Sequence, residues 1–547
     1  MLLVSLFLVS LSGVSAANQT INSTSTGGIA QGITNTGTGE TLFLQPGIYN
    51  KTNQDINIHV NKNITIKGNG SKGSVIIDAR KISGIFSIGN NVNVTFINIK
   101  FCNGYSTSNG GAIYNPYANT IMSFINCTFA NNTGRDGGAI YNYGSNIIII
   151  NNNFINSYAT SNGGAIYNYG ANAIINNNNF TNNTAISNDG GGAIHNYGAN
   201  INITNNNFIN NNAANTAGGA IMTAGPNTII FNNSFINNTS VKNGAGAIFV
   251  GVLAVNTIIS NNNFIANKGL IGGALVISGT QNCSVINNNF INNIAFANGG
   301  AIYNRGNNTS VSNNTFIGNS ATDIGGAIFN NVIGNMSVSN NIMLNNSANL
   351  GQMIYNNGSM GVLNLTFINN STWIVKNGST ITLFATLTDD MGNTVTGQNI
   401  SFYIDGVFLA NVTSIEGEAK LNYLVNQEPN SIIPVTGDYE GHTGYSIMIK
   451  NGELLIKTIP KEPEEKENPE DLEISEDPKI NNKTSNNNPT IKTSSATMKP
   501  TGMPIIALSI LLISAFGLII RSKKINFKQL EDYINSFKSS NFYFYYS

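Results

Sequence analysis

Residues able to do acid–base chemistry are scarce in the central half of this chain. Between Phe101 and Ser371 the only cations are Arg135, Lys242, Lys268 and Arg305, and the only acids are Asp136, Asp189 and Asp323. Hydrolysis of a glycosidic bond needs two carboxyl groups held ~5–9.5 Å apart. A lyase needs a Ca²⁺-binding acidic group and a basic residue that abstracts a proton. Arg135 beside Asp136 is the one candidate basic partner, a thin constellation better explained by corner residues. His59, His195 and His442 stand alone and do not make a metal site. Three cysteines, Cys102, Cys127 and Cys283, are too few for a disulfide framework and read as small buried residues. The whole chain has 26 basic and 26 acidic residues, with no basic patch outside its C-terminal flank, which argues against nucleic acid. No nucleotide loop is present, because the Gly pairs follow a repeat and do not open helices; no cofactor is expected.

What positions these residues is that repeat. Gly-Gly-Ala-Ile-Tyr-Asn occurs at 110–115, 137–142, 163–168 and 299–304, and with His195 at 191–196. Looser copies begin at Gly218, Ala245, Gly272, Gly325 and Gly351, so starts recur every 26 to 28 residues. An Asn cluster followed by an aromatic and Ile-Asn-Asn runs in step, with Phe154, Phe208, Phe290 and Phe316 at the aromatic place. Short β-branched runs separate the two phrases. Three strand-like pieces and three Gly/Asn corners in each period describe one coil of a parallel β-helix. Coils stacked ~4.8 Å apart turn equivalent residues into ladders. The spacing predicts about ten such coils after an N-terminal cap, with two core ladders. One is Ile113 to Ile354; the other is Phe101 to Phe316, with Phe367 at its end. Asp136 and Asp189 then lie two coils apart, ~10 Å, and Asp323 five further coils away, ~24 Å.

Alternation along a strand turns the residue after each core Ile outward. That column contains Tyr114, Tyr141 and Tyr167 as one aromatic strip, and Tyr303 and Tyr355 as a second strip broken by Phe329. Aromatics on an uncharged face suit the apolar faces of sugar rings. The alternative is that they pack on one another and only stabilise the solenoid. These five tyrosines are the candidate ligand-binding residues.

The flanks read differently. Residues 1–16 are an apolar run ending Val14-Ser15-Ala16, which reads as a signal peptide cleaved after Ala16. The β-helix with its cap takes 17–371. Residues 372–457 have strand and turn patterning every 8–12 residues, the pattern of a β-sandwich. Residues 458–502 are an acidic, then polar, extended spacer. Residues 503–520 are an uncharged apolar span followed by Arg521-Ser522-Lys523-Lys524, which orients a membrane helix with the 521–547 tail inside. Sequons such as Asn63, Asn93, Asn202, Asn307 and Asn411 are expected to carry glycan in an exported protein.

Gly-Gly-Ala-Ile alternating with Phe-X-X-Asn, as in Phe208-Ile209-Asn210-Asn211, resembles the repeats of chlamydial polymorphic outer-membrane proteins. It also resembles the adhesin-like, Asn/Thr-rich surface proteins of methanogenic archaea. Leu44-Gln45-Pro46-Gly47-Ile48-Tyr49 followed by Ile64-Thr65-Ile66-Lys67-Gly68 is similar to the opening of pectate-lyase-like right-handed β-helices. Ala385-Thr386-Leu387-Thr388-Asp389, with Asp405-Gly406 and Gly417, resembles bacterial Ig-like domains of surface adhesins. A single helix in place of the outer-membrane barrel of the chlamydial group favours the archaeal resemblance. These likenesses imply an all-β, membrane-anchored surface protein that is not an enzyme. It would meet host or microbial surface glycans or proteins by repeated weak contacts. The alternative they leave is a polysaccharide lyase or glycoside hydrolase of the pectate-lyase-like type.

Overall fold

A computed structural model describes residues 17–186, 189–240, 242–367, 372–439 and 447–457. The expected signal peptide, spacer, membrane span and tail lie outside these residues. Among the described residues no helix is long and apolar enough to cross a membrane.

The repeat winds into a right-handed parallel β-solenoid of about 13 turns. Each turn contributes one strand to each of three parallel sheets, of 13, 14 and 12 strands. Taking one turn in order, Ile140–Asn142 lies in the first sheet, Ile148–Ile150 in the second and Asn153–Ile155 in the third. A fourth piece, Tyr158–Ala159, joins a short eight-stranded sheet at the last corner, which three-strand patterning did not foresee. Turns begin well before the first Gly-Gly phrase. Gln19–Ile21, Thr41–Leu44 and Ile64–Gly68 are already successive strands of the second sheet. The N-terminal cap is one helix, Gly28–Asn35, whose Ile29 and Ile33 are buried.

Both core ladders form. Ile113 pairs with Ile140, Ile140 with Ile166 and Ile166 with Ile194, all fully buried. Along the other ladder, Phe129, Phe154, Phe180 and Phe208 stack face to face at 4.8 Å between ring centres. This ladder closes on Met343, which pairs with Phe316. Phe367 is not its last rung; it meets Phe402 edge-on at 5.5 Å in the C-terminal sheets.

The Asn-Asn pairs divide their labour. The first of each pair, such as Asn177 (φ 55°) or Asn182 (φ 56°), takes the left-handed backbone that turns the corner, which Asn tolerates better than other side chains with a Cβ. The second points inward. Asn178 Oδ1 accepts from the N–H and Nδ2 of Asn152 at 2.8 and 3.0 Å, and Asn178 Nδ2 donates to the Ile149 carbonyl at 2.9 Å. The same pattern runs along Asn183, Asn211, Asn238 and Asn267. A buried amide thus replaces the ladder bonds that the backbone loses at each bend. The Gly pair answers a packing limit. Gly110 sits at φ 66°, and a Cβ on Gly111 would lie 2.2 Å from the Gly138 carbonyl oxygen.

The C-terminal unit has a four-stranded and a five-stranded sheet. Leu363–Thr366 already pairs with Thr380–Asp389, so the change of architecture falls near residue 362 rather than 371. This unit also closes the solenoid. Val395–Thr396 adds to the first sheet beside Ile354 and Tyr355. In earlier turns the N–H groups of the Gly pair bond carbonyls of the next turn, as Gly325 N does with Leu350 O at 3.0 Å. At the last turn Gly351 N and Gln352 N instead donate to the Glu416 carboxylate, at 2.7 and 3.0 Å.

Candidate functional site

The five tyrosines point away from the core, yet they are not an exposed strip. Tyr114, Tyr141 and Tyr167 are half-buried and packed ring on ring, 5.5 and 5.2 Å between centres; the second pair is within 5° of parallel. Tyr167 continues onto His195, 5.2 Å away. Tyr303 is only 8 % exposed, accepts from Asn331 Nδ2 at 3.0 Å through its hydroxyl, and packs on Phe329. Phe329 packs in turn on the half-buried Tyr355. Corner residues fold back over the column. Ala245, Ile271 and Ile324 lie against Val276, Tyr303 and Phe329 in a small apolar seam outside the main core. Faces packed against neighbouring rings are covered, so less of each ring is open to a sugar than an exposed strip would offer. Burial raises the phenol pKa values of Tyr141 and Tyr167, which leaves them un-ionised across the physiological range.

His195 is the anomaly of this column. It is fully buried, neither ring nitrogen has a hydrogen-bond partner, and Tyr197 lies 4.7 Å from it on the other side. Burial without an acceptor disfavours the charged ring, and its pKa falls to about 4; the negative charge of Asp136 opposes this weakly.

A row of more exposed aromatic groups stands two residues further along, at the next corner. Tyr143 and Tyr169 are 38 % and 47 % exposed and stack at 4.7 Å, 6° from parallel. Tyr197, half-buried, follows at 5.8 Å with a 39° tilt. Sequence reasoning passed over them, although the recurring Asn-Tyr at 142–143, 168–169 and 196–197 was visible. A residue placed just past the end of a strand has no alternation to show which way it faces.

Burial first, then the charges of Asp189, Tyr169 and Asp136, raises the phenol pKa of Tyr197, so both acids act on one side chain. Asp136 is held by Arg135 Nε at 3.1 Å and by the backbone and side-chain nitrogens of Asn162, at 3.3 and 3.1 Å. It ties one corner to the next. Asp323 is exposed, seven turns away from Asp136. Among the described residues no group of three or more His, Cys, Asp or Glu is arranged to hold a metal ion. All three cysteines are unpaired and buried, and burial pushes the thiols of Cys127 and Cys283 up to about 12, so neither is a nucleophile at neutral pH. Two hollows lie at the ends of the shaft. One of about 500 Å³ is lined by Ile33, His59 and Lys62, but Lys62 Nζ is already engaged with the carbonyls of Thr34 and Thr36. The other, about 400 Å³, lies between Met353 and Glu416, whose carboxylate closes the last turn.

Comparison with known proteins agrees with this architecture. Residues 179–316 match the family described as the right handed beta helix region, and residues 126–143 match the Chlamydia polymorphic membrane protein repeat. No curated protein shows significant similarity. Similar solved structures include a mannuronic acid specific polysaccharide family 6 lyase from human gut microbiota, at 12 % identity and a TM-score of 0.32. It covers 59 % of this chain and 87 % of its own. A periplasmic alginate epimerase is similar at 11 % identity and a TM-score of 0.30, covering 59 % of this chain and 75 % of its own.

Proposed function

We propose that this chain is a surface-displayed, adhesin-like protein. Its solenoid meets glycans or proteins on host or microbial surfaces by many weak contacts along its length. The observation that carries the reading is the surface of the shaft. Rows of amides and hydroxyls recur once per turn, and from Phe101 to Ser371 the acids are only Asp136, Asp189 and Asp323. Such an array offers repeated, individually weak hydrogen bonds, and strength comes from their number. A lyase or hydrolase on the same fold would need clustered acids. Export through the 1–16 segment, anchoring through the 503–520 span, an Ig-like character for the C-terminal sheets and the archaeal resemblance belong to this proposal as readings of the sequence. Glycan on exposed sequons fits it too: Asn63, Asn93, Asn307 and Asn411 are exposed, Asn202 is half-buried, and Asn238 is fully buried and excluded. The test is binding of the 17–457 fragment to a glycan array and to whole cells. Retention on either supports the proposal, and retention on neither overturns it.

A further inference from the structure

The corner that carries Tyr143, Tyr169 and Tyr197 also carries a row of amides. Asn146, Asn172 and Asn200 follow the three tyrosines at a constant distance of three residues, each locked at positive φ and exposed. Asn172 Nδ2 donates to Asn146 Oδ1 at 3.2 Å, and Asn200 Nδ2 donates to Asn172 Oδ1 at 3.1 Å. The row continues with Asn227 Nδ2 donating to Asn200 Oδ1 at 2.9 Å, and it uses at most one N–H and one lone pair of each amide. Among the described residues the phenol hydroxyls of these three tyrosines make no hydrogen bond, unlike that of Tyr303. Tyr143 and Tyr169 stack on one another and are exposed, while Tyr197 is half-buried and lies against His195 and Tyr167.

We infer that this corner is a binding track for an extended neutral polysaccharide lying along the solenoid axis, a refinement that rests on the glycan-binding form of the function proposed above. Each turn presents one phenol hydroxyl and one amide, with rings spaced 4.7 and 5.8 Å apart. Successive rings of an extended pyranose chain recur at a comparable spacing and carry hydroxyls that both donate and accept. Charge selects against acidic polymers. The shaft from Phe101 to Phe367 has four cations, and Arg135, the one nearest this corner in sequence, is paired with Asp136. A polyuronate would find almost no counter-charge there.

The test uses the full-length chain in detergent and affinity electrophoresis in gels containing a soluble glucan, mannan or galactan, with alginate as the anionic probe. Tyr143→Phe/Tyr169→Phe/Tyr197→Phe keeps the stack and removes three hydroxyls. Affinity for the preferred neutral polymer is expected to fall about tenfold or more with an unchanged melting temperature. Single Tyr169→Phe, expected to weaken binding by a few fold, stands in if the triple variant fails to fold. Neutral-polymer binding that both variants leave at the wild-type level overturns the track while the adhesin reading survives. A wild-type chain that binds none of the neutral polymers but still adheres to cells overturns the track and leaves a protein partner; one that binds neither overturns the adhesin reading as well. Preference for alginate, or a change in sedimentation showing that the hydroxyls hold two copies together, also overturns it.

Discussion

Acidification should loosen the solenoid through His195, by an amount the structure sets. The ring is buried with both nitrogens unpartnered, and its pKa is about 4 against 6.5 for an unperturbed histidine. Between those values the unfolded chain binds a proton that the folded chain refuses, so stability rises with pH across this window and falls as pH is lowered. At pH 7 both states are neutral and the term vanishes. By pH 4 this contribution favours the unfolded state by about 3 kcal/mol, because the unfolded ring takes its proton near 6.5 and the folded ring only at about 4. Carboxylates titrate over the same range, so the reference is His195→Met, which places the residue of the next turn, Met222, in the column. Urea unfolding of both proteins at pH 7 and pH 4 measures the difference. The wild type should lose about 3 kcal/mol more than the variant. Equal losses would refute the argument and mean that His195 finds an acceptor or water in solution.

Three other outcomes follow from the corners and the cap. Ala266 holds φ 54° where Asn237 and Asn292 stand in neighbouring turns, so Ala266→Asn should raise stability by about 0.5–1 kcal/mol in urea titrations. Asn238→Ala removes an acceptor from the Asn211 N–H and Nδ2 and a donor from the Phe208 carbonyl, and should cost about 3 kcal/mol or more. The adjacent exposed Asn237→Gly should cost far less by the same measurement. A chain ending at residue 361 loses Val395–Thr396 and the Glu416 carboxylate from its last turn. It should self-associate with concentration in sedimentation velocity, because an open parallel edge is a template for pairing.

The repeat made the solenoid legible because a ladder fold writes its geometry as a period: the Ile and Phe columns could be placed by counting. Exposure of the tyrosine column could not. Its cover is built from apolar corner residues such as Ala245, Ile271 and Ile324, too irregular to leave a pattern. Without that cover in view, alternation alone put Tyr141 and Tyr303 in solvent. Phe367 was misplaced for a related reason. Leu363-Asn364-Leu365-Thr366 alternates like any solenoid strand, and nothing local shows that its partners are Thr386 and Leu387. The buried histidine was also invisible, since His, Tyr and Met occupy the same column and only packing decides which is covered.

On the proposed function, the charge-poor shaft holds its partner without transforming it. The most direct measurement is the chain length of neutral and uronate polysaccharides, by size-exclusion light scattering, after prolonged incubation with the full-length protein with and without Ca²⁺. Bound polymer recovered at its original length, with no new reducing or unsaturated ends, is the predicted result. Shortened polymer, with the shortening abolished by Asp136→Asn, would contradict the account.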